Sequence, residues 1–306
     1  VGGTLRDDAV DRPVERAADD VGDVGLFGPG SVTWRIHADP VMGIGGLRAL
    51  HLQALHPLAM AGVAQHSDFR ADPWGRLLRT VNYVTTVSFG TTSQVERAAA
   101  RVRGIHRPLN GVEPESGATY RVDDPELLRW VHCCLVDSFL TTYRRAGGPL
   151  TGAEADAYVA EQLRAAALVG VDPGCVPANV ADLAAYFAAM RPELRATREA
   201  KRAAAFVLLP PMPNRWLEPA RPLWASVAGT AFALMPRWAR RLYGVPAVLP
   251  TDLGATAAVR AIRRSLLLMP AHVREAPPVR DARARAAGTE PDSHQRARRR
   301  LVDAAG

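Results

Sequence analysis

Apolar residues recur at intervals of three and four along most of the chain, as in Val95, Ala98 and Ala99, Val102 and Ile105, and again in Leu127, Val131, Leu135 and Phe139. That spacing keeps one greasy stripe on an α-helix, and no stretch alternates with the period of two that a half-buried strand needs. Helix starts are marked. Asp-Pro pairs at Asp39-Pro40, Asp72-Pro73 and Asp124-Pro125 each offer a capping carboxylate followed by a proline suited to the first helical position. Ser93 with Glu96, and Thr151 with Glu154, have the spacing of capping boxes. Together these signals predict helices over 43–66 with a kink near Pro57, 73–88, 93–105, 125–145, 151–170, 178–190, 192–206, 222–242 and 252–269. The proline-rich run 210–222 predicts an extended strap, and no repeat of fixed period is present. The expected fold class is all-α, a single helical domain.

Composition bounds this picture without changing it. The chain has 306 residues, 48% hydrophobic and 23% charged, enough to bury one sizeable core. The formal charge of +7 is unevenly spread: residues 1–24 are net acidic, whereas seven arginines face four acids after Pro277. We therefore expect an acidic extension over 1–24, the helical domain over 25–276 and a flexible basic tail over 277–306. No aromatic residue interleaves with the tail arginines, so bases would find no stacking platform and nucleic acid is not an expected partner. Three cysteines, two of them the neighbours Cys133 and Cys134, do not make a disulfide framework. The N-terminal residues lack the basic-then-apolar pattern of a secretory signal, and the longest apolar stretch, 223–235, is too short to span a bilayer. A cytoplasmic location is expected. Peripheral membrane contact stays open, through 222–242 and Trp216, Trp224 and Trp238.

Several kinds of chemistry are absent as motifs. There is no phosphate-binding Walker loop, no GxSxG elbow, no HExxH and no complete GxGxxG. No histidine has a glutamate three residues before it, which disfavours a carboxylate-bridged di-iron site. His132, in LLRWVHCCLVDSF, shares a helix face with Leu128 and with Leu135 or Val136, so its imidazole points at a core. Cys133 and Cys134 lie about 100° and 200° round the helix from it, so the three cannot converge on one metal. His132 is then a satisfied core group or the one nitrogen donor that a haem needs in an apolar slot. Arg76, Arg79 and Thr80, with Tyr83 and Val87, follow one helix face that is either a wet surface or, if turned inward, a cationic wall needing anions. His106 ends its helix and His66 precedes the Asp72 cap; either is a capping group or a member of a site. His51 and His56, five apart, do not form a simple ligand pair.

Read together, HPLAMAGVAQHSDF (56–69), DPWGRLLRT (72–80), FGT (89–91), VRGIHRPLNG (102–111), Tyr120 and DPELLRWVH (124–132) resemble the MpaB and rubber-oxygenase catalytic domain over about residues 26–250. The resemblance implies a globin-like helical core, a b-type haem and cleavage of carbon–carbon double bonds in isoprenoid chains with dioxygen. It places the axial histidine at His132 and the family's arginine, basic residue and threonine at Arg76, Arg79 and Thr80. His66 becomes a proton-handling candidate and His106 a weaker supporting residue for the cofactor. The pattern departs at Arg79, where rubber-cleaving members carry lysine; arginine effectively cannot lose its proton to bind iron. The expected function is thus a haem-b oxygenase or related oxidoreductase taking a hydrophobic unsaturated small molecule. A haem sensor without turnover and a cofactor-free helical interaction protein are the alternatives.

Overall fold

The computed structural model describes residues 22–67 and 71–289. Its helices in chain order are α1 (Val32–His37), α2 (Met42–Gln53), α3 (Pro57–His66), α4 (Pro73–Phe89), α5 (Thr92–His106), α6 (Pro125–Arg145), α7 (Gly152–Glu161) and α8 (Leu163–Leu168). They continue with α9 (Val180–Met190), α10 (Arg198–Leu208), α11 (Arg221–Ala233), α12 (Arg237–Leu242), α13 (Leu249–Leu267), α14 (Ala271–Arg274) and α15 (Pro277–Ala286). The all-α expectation holds, and α6 has the bounds the spacing predicts, opened by Asp124 accepting from the Glu126 amide with Pro125 behind it. Helix α4 is likewise opened by Asp72, which accepts from the Gly75 amide. The Thr151–Glu154 capping box opens α7, which ends at Glu161 rather than running on to 170.

Other boundaries moved for physical reasons. The box at α5 is Thr91 with Gln94, two residues before Ser93 and Glu96. Asp39 does not cap a helix at Pro40: its carboxylate takes the Val41 amide and pairs with Arg263 at 2.8 Å, and α2 starts at Met42. Two short strands, Asn110–Val112 and Thr119–Arg121, form an antiparallel hairpin that was not expected. Its loop is organised by Glu113, a buried carboxylate that accepts from the Glu115 and Ser116 amides, the Ser116 hydroxyl and Arg195, so local side-chain bonds outweigh the missing alternation. The strap expected over 210–222 is a 3-10 helix, Arg215–Ala220, capped by Asn214 and running into α11 with Pro222 in its first turn. Prolines there start a helix instead of preventing one.

The main core lies between α2 and α6, which make the most extensive helix pair, closed by α7, α9, α11 and α13. Close approach of α2 to α6 requires Gly45, since a Cβ there would sit 2.8 Å from Phe139 Cδ1. Arg48 crosses the same seam: it pairs with Asp137 at 2.8 Å and donates to Ser138 Oγ at 2.6 Å and to the Leu234 carbonyl at 3.1 Å. A smaller cluster joins Trp34 of α1 and Phe89 of α4 to Val279 and Ala282 of α15. That cluster corrects the expectation of a flexible tail from residue 277. Two apolar residues one turn apart give 277–286 a face to bury, and Pro277 and Pro278 suit its first turn. The arginine run at 296–300 and residues 1–21 lie outside the described residues. Among the described residues no helix is long and apolar enough to cross a membrane. Trp224 and Trp238 are partly buried against the core, and Trp216 is exposed.

Candidate functional site

A cavity of about 360 Å³ opens between α2, α3, α4, α5, α6 and α10. Its inner wall is apolar: Leu47, Leu50 and Ala54 come from α2, Leu127, Leu128 and Val131 from α6, and Phe206 and Val207 from α10. Trp74 of α4 and Trp224 of α11 close one side, ring against ring at 4.7 Å, with the Trp74 indole donating to the Pro211 carbonyl at 2.8 Å. The 210–222 segment thus reaches the cavity wall.

Polar groups gather at the outer part, and four of the residues predicted from sequence meet there: His66, Arg76, Thr80 and His106. Arg76 donates to Ser67 Oγ and has no carboxylate partner among the described residues. Burial, and then the charge of Arg79, lower its pKa. Thr80 donates its hydroxyl hydrogen to the Arg76 carbonyl at 3.2 Å, leaving its lone pairs free. His66 Nε2 donates to the Asn110 carbonyl at 3.0 Å. His106 is half-buried and makes no side-chain hydrogen bond to any described residue. Burial lowers its pKa, the charge of Asp123 opposes that, and the positive charge of Arg76 adds to the lowering. Tyr120 completes this part, its hydroxyl donating to Gln65 Oε1 at 2.8 Å.

Two predicted residues are elsewhere. Arg79 does not line the cavity; its side chain is 65% exposed and pairs with Asp72 at 3.1 Å. The carboxylate that caps α4 draws it outward, away from the cavity. His132 is buried as expected, at 8% exposure, with Nε2 lacking a partner and the ring driven by burial down to about 4. It is nonetheless absent from the cavity wall. Leu127, Leu128 and Val131 face the cavity, and His132 lies beyond them along α6. Helical spacing reports burial but not which of two apolar surroundings receives the ring.

One cavity histidine was missed as a site residue. His51 stands between Leu47 and Ala54 on the cavity face of α2 and is 1% exposed. Among the described residues neither ring nitrogen has a hydrogen-bond partner. The sequence signal lies in the spacing of 47, 51 and 54, which a comparison of His51 with His56 as a ligand pair does not use. His56 caps α3, accepting from the Ala59 amide at 3.5 Å.

Among the described residues no group of three or more His, Cys, Asp or Glu is arranged to hold a bare metal ion. The profile of the family described as ER-bound oxygenase mpaB/B'/rubber oxygenase, catalytic domain, matches residues 34–267. The chain belongs to that family. Every residue lining the cavity falls inside the matched span, so the cavity is a feature of the oxygenase-family domain itself. No curated protein and no solved structure matches the chain.

Proposed function

We propose that this MpaB/rubber-oxygenase family domain is a haem-b-dependent oxygenase that uses dioxygen on a hydrophobic, unsaturated small molecule held in the cavity. The observation that carries the reading is the placement of His106: a half-buried imidazole on the wall of an apolar cavity, beside Arg76, which has no carboxylate partner among the described residues. That donor set fits a haem, which needs one nitrogen ligand in an apolar slot and cations for its propionates. It also moves the proposed axial role from His132 to His106.

His106 would hold the iron through a ring nitrogen, and Arg76 would receive a propionate. When bound, haem supplies the redox chemistry with dioxygen that no side chain of this chain provides. Thr80 Oγ1, already donating to the Arg76 carbonyl, is left as an acceptor that can orient a hydroxyl or water at the mouth. His66, with Nε2–H fixed on the Asn110 carbonyl, would be the proton-handling group at the mouth through Nδ1. The apolar inner wall would seat the hydrocarbon and exclude water.

The test is the absorption spectrum of protein expressed with ample haem. A Soret band is expected, strongly diminished or shifted in His106→Ala and preserved in His132→Ala. Absence of the band in the unmutated protein overturns the haem reading, and its loss only in His132→Ala overturns the reassignment. Dioxygen uptake with unsaturated hydrocarbons would then separate turnover from mere haem binding.

A further inference from the structure

Single apolar side chains left in water are ordinary, but here several of them border one cavity. Ile105 lines it and is itself exposed. Leu78 and Val81 follow the lining residues Leu77 and Thr80 on α4, Leu209 precedes Pro210, and Leu223 precedes Trp224; all four are exposed. The chain leaves the wall after Pro210 and returns to it at Trp224, with Pro211 held by the Trp74 indole, and the short 3-10 helix between those anchors carries Trp216. At 78% exposure the Trp216 ring stands in solvent, without the burial that makes a large aromatic residue useful to a fold. Trp224 and Trp238 pack against the core, so the outward apolar surface is this rim and not the whole of 222–242.

The charges beside the rim point to what covers it. The Arg215 guanidinium lies over the Trp216 ring, 4.8 Å from its centroid. Between Glu96 and Glu113 the chain carries Arg97, Arg101, Arg103 and Arg107 and no acid, and Arg101 stands one turn before Ile105 on the exposed side of α5. Apolar side chains with arginines next to them suit the boundary between acyl chains and anionic headgroups, where the ring enters hydrocarbon while the guanidinium stays with phosphate. No helix among the described residues is long and apolar enough to cross a bilayer, so the contact is one made from its surface. We propose that the rim around Trp216 and Ile105 docks on an anionic lipid bilayer, so that a hydrophobic substrate passes from the membrane into the cavity without crossing water. This rests on the cavity being the pocket for such a molecule, and names the phase that supplies it.

The experiment is cosedimentation of the full chain with sucrose-loaded vesicles, either of phosphatidylcholine alone or of phosphatidylcholine mixed equally with phosphatidylglycerol, with the Soret band recorded on the same preparation. The unmutated chain should pellet with the mixed vesicles and far less with the neutral ones, and added salt should weaken the binding. Trp216→Ser should lower the partition coefficient on the order of tenfold with no fall in Tm, because the ring is exposed in the folded chain. Arg215→Gln should lower it by about fivefold. Leu268→Ser removes a side chain that is 88% exposed at the end of α13 and does not line the cavity, and it should bind as the unmutated chain does. Equal binding to the two kinds of vesicle, or an equal loss in Leu268→Ser, overturns the docking face. Binding that survives in Trp216→Ser also overturns it and assigns the attraction to arginines elsewhere, and a dimer in solution that Trp216→Ser dissociates overturns it in favour of a second copy of the chain. Trp216-dependent vesicle binding in protein without a Soret band would sink the haem reading and keep the docking face; a Soret band in protein that binds neither kind of vesicle would do the reverse.

Discussion

The α2–α6 seam and the cavity beside it are built from the same helices, yet they treat buried polar groups in opposite ways. Arg48 and His51 are successive turns of α2 and each is 1% exposed. Arg48 is met by Asp137, Ser138 and the Leu234 carbonyl, whereas the His51 ring has no hydrogen-bond partner among the described residues. The contrast extends to His37, whose two nitrogens contact Ser88 Oγ at 2.6 Å and Tyr158 OH at 3.0 Å. Where a polar side chain joins helices, the chain supplies its partners. His51 beside the cavity and His132 Nε2 away from it have no such partner among the described residues, so burial alone does not tell which polar side chains hold the helices together.

Acid should break the contrast most strongly. His37, His51 and His132 are held neutral by burial, down to about 3, 4 and 4, while in the unfolded chain each titrates near its ordinary value of 6.5. Below that value the unfolded state binds protons that the folded state refuses. Stability is therefore fully present above about pH 6.5 and falls as pH drops toward 4, by up to about 1.4 kcal/mol per pH unit for each histidine. Urea titrations across this window measure the slope, and His51→Leu should reduce it by about one proton's share; an unchanged slope would place His51 outside the buried set. Next in size, Arg48→Ala leaves Asp137 and Ser138 without their partner and should cost about 3 kcal/mol in chemical denaturation. A loss below 1 kcal/mol would mean that the seam does not depend on its charges. Least of all, Arg79→Gln removes an exposed ion pair and should shift stability by less than about 0.5 kcal/mol, leaving the Soret band unaltered. A spectral change in that variant would return Arg79 to the site.

Helical spacing and caps made the fold legible, because α6 and α4 follow from local signals at Asp124-Pro125 and Asp72-Pro73. The hairpin escaped notice since its cause is the hydrogen bonding of Glu113, not an alternating pattern. Docking of 277–286 depends on Trp34 and Phe89, residues remote in sequence, so no local window could reveal it. In the site, His66, Arg76, Thr80 and His106 were identifiable through family motifs, and the structure brings them together. His132 and His51 each share a helix with apolar neighbours, and only the packing of six helices decides that the cavity borders His51 and not His132.

The clasp around α4 has a topological meaning. The Gly22 amide donates to the Arg285 carbonyl at 3.3 Å, and the Arg285 guanidinium donates to the carbonyls of Asp23 and of Phe89, the last residue of α4. The earliest and latest described segments thus knot together behind the helix whose other end presents Arg76 and Thr80 to the cavity. Residues 22–23 and 285, far apart in sequence, are therefore joined through the last residue of the same helix whose first half lines the cavity.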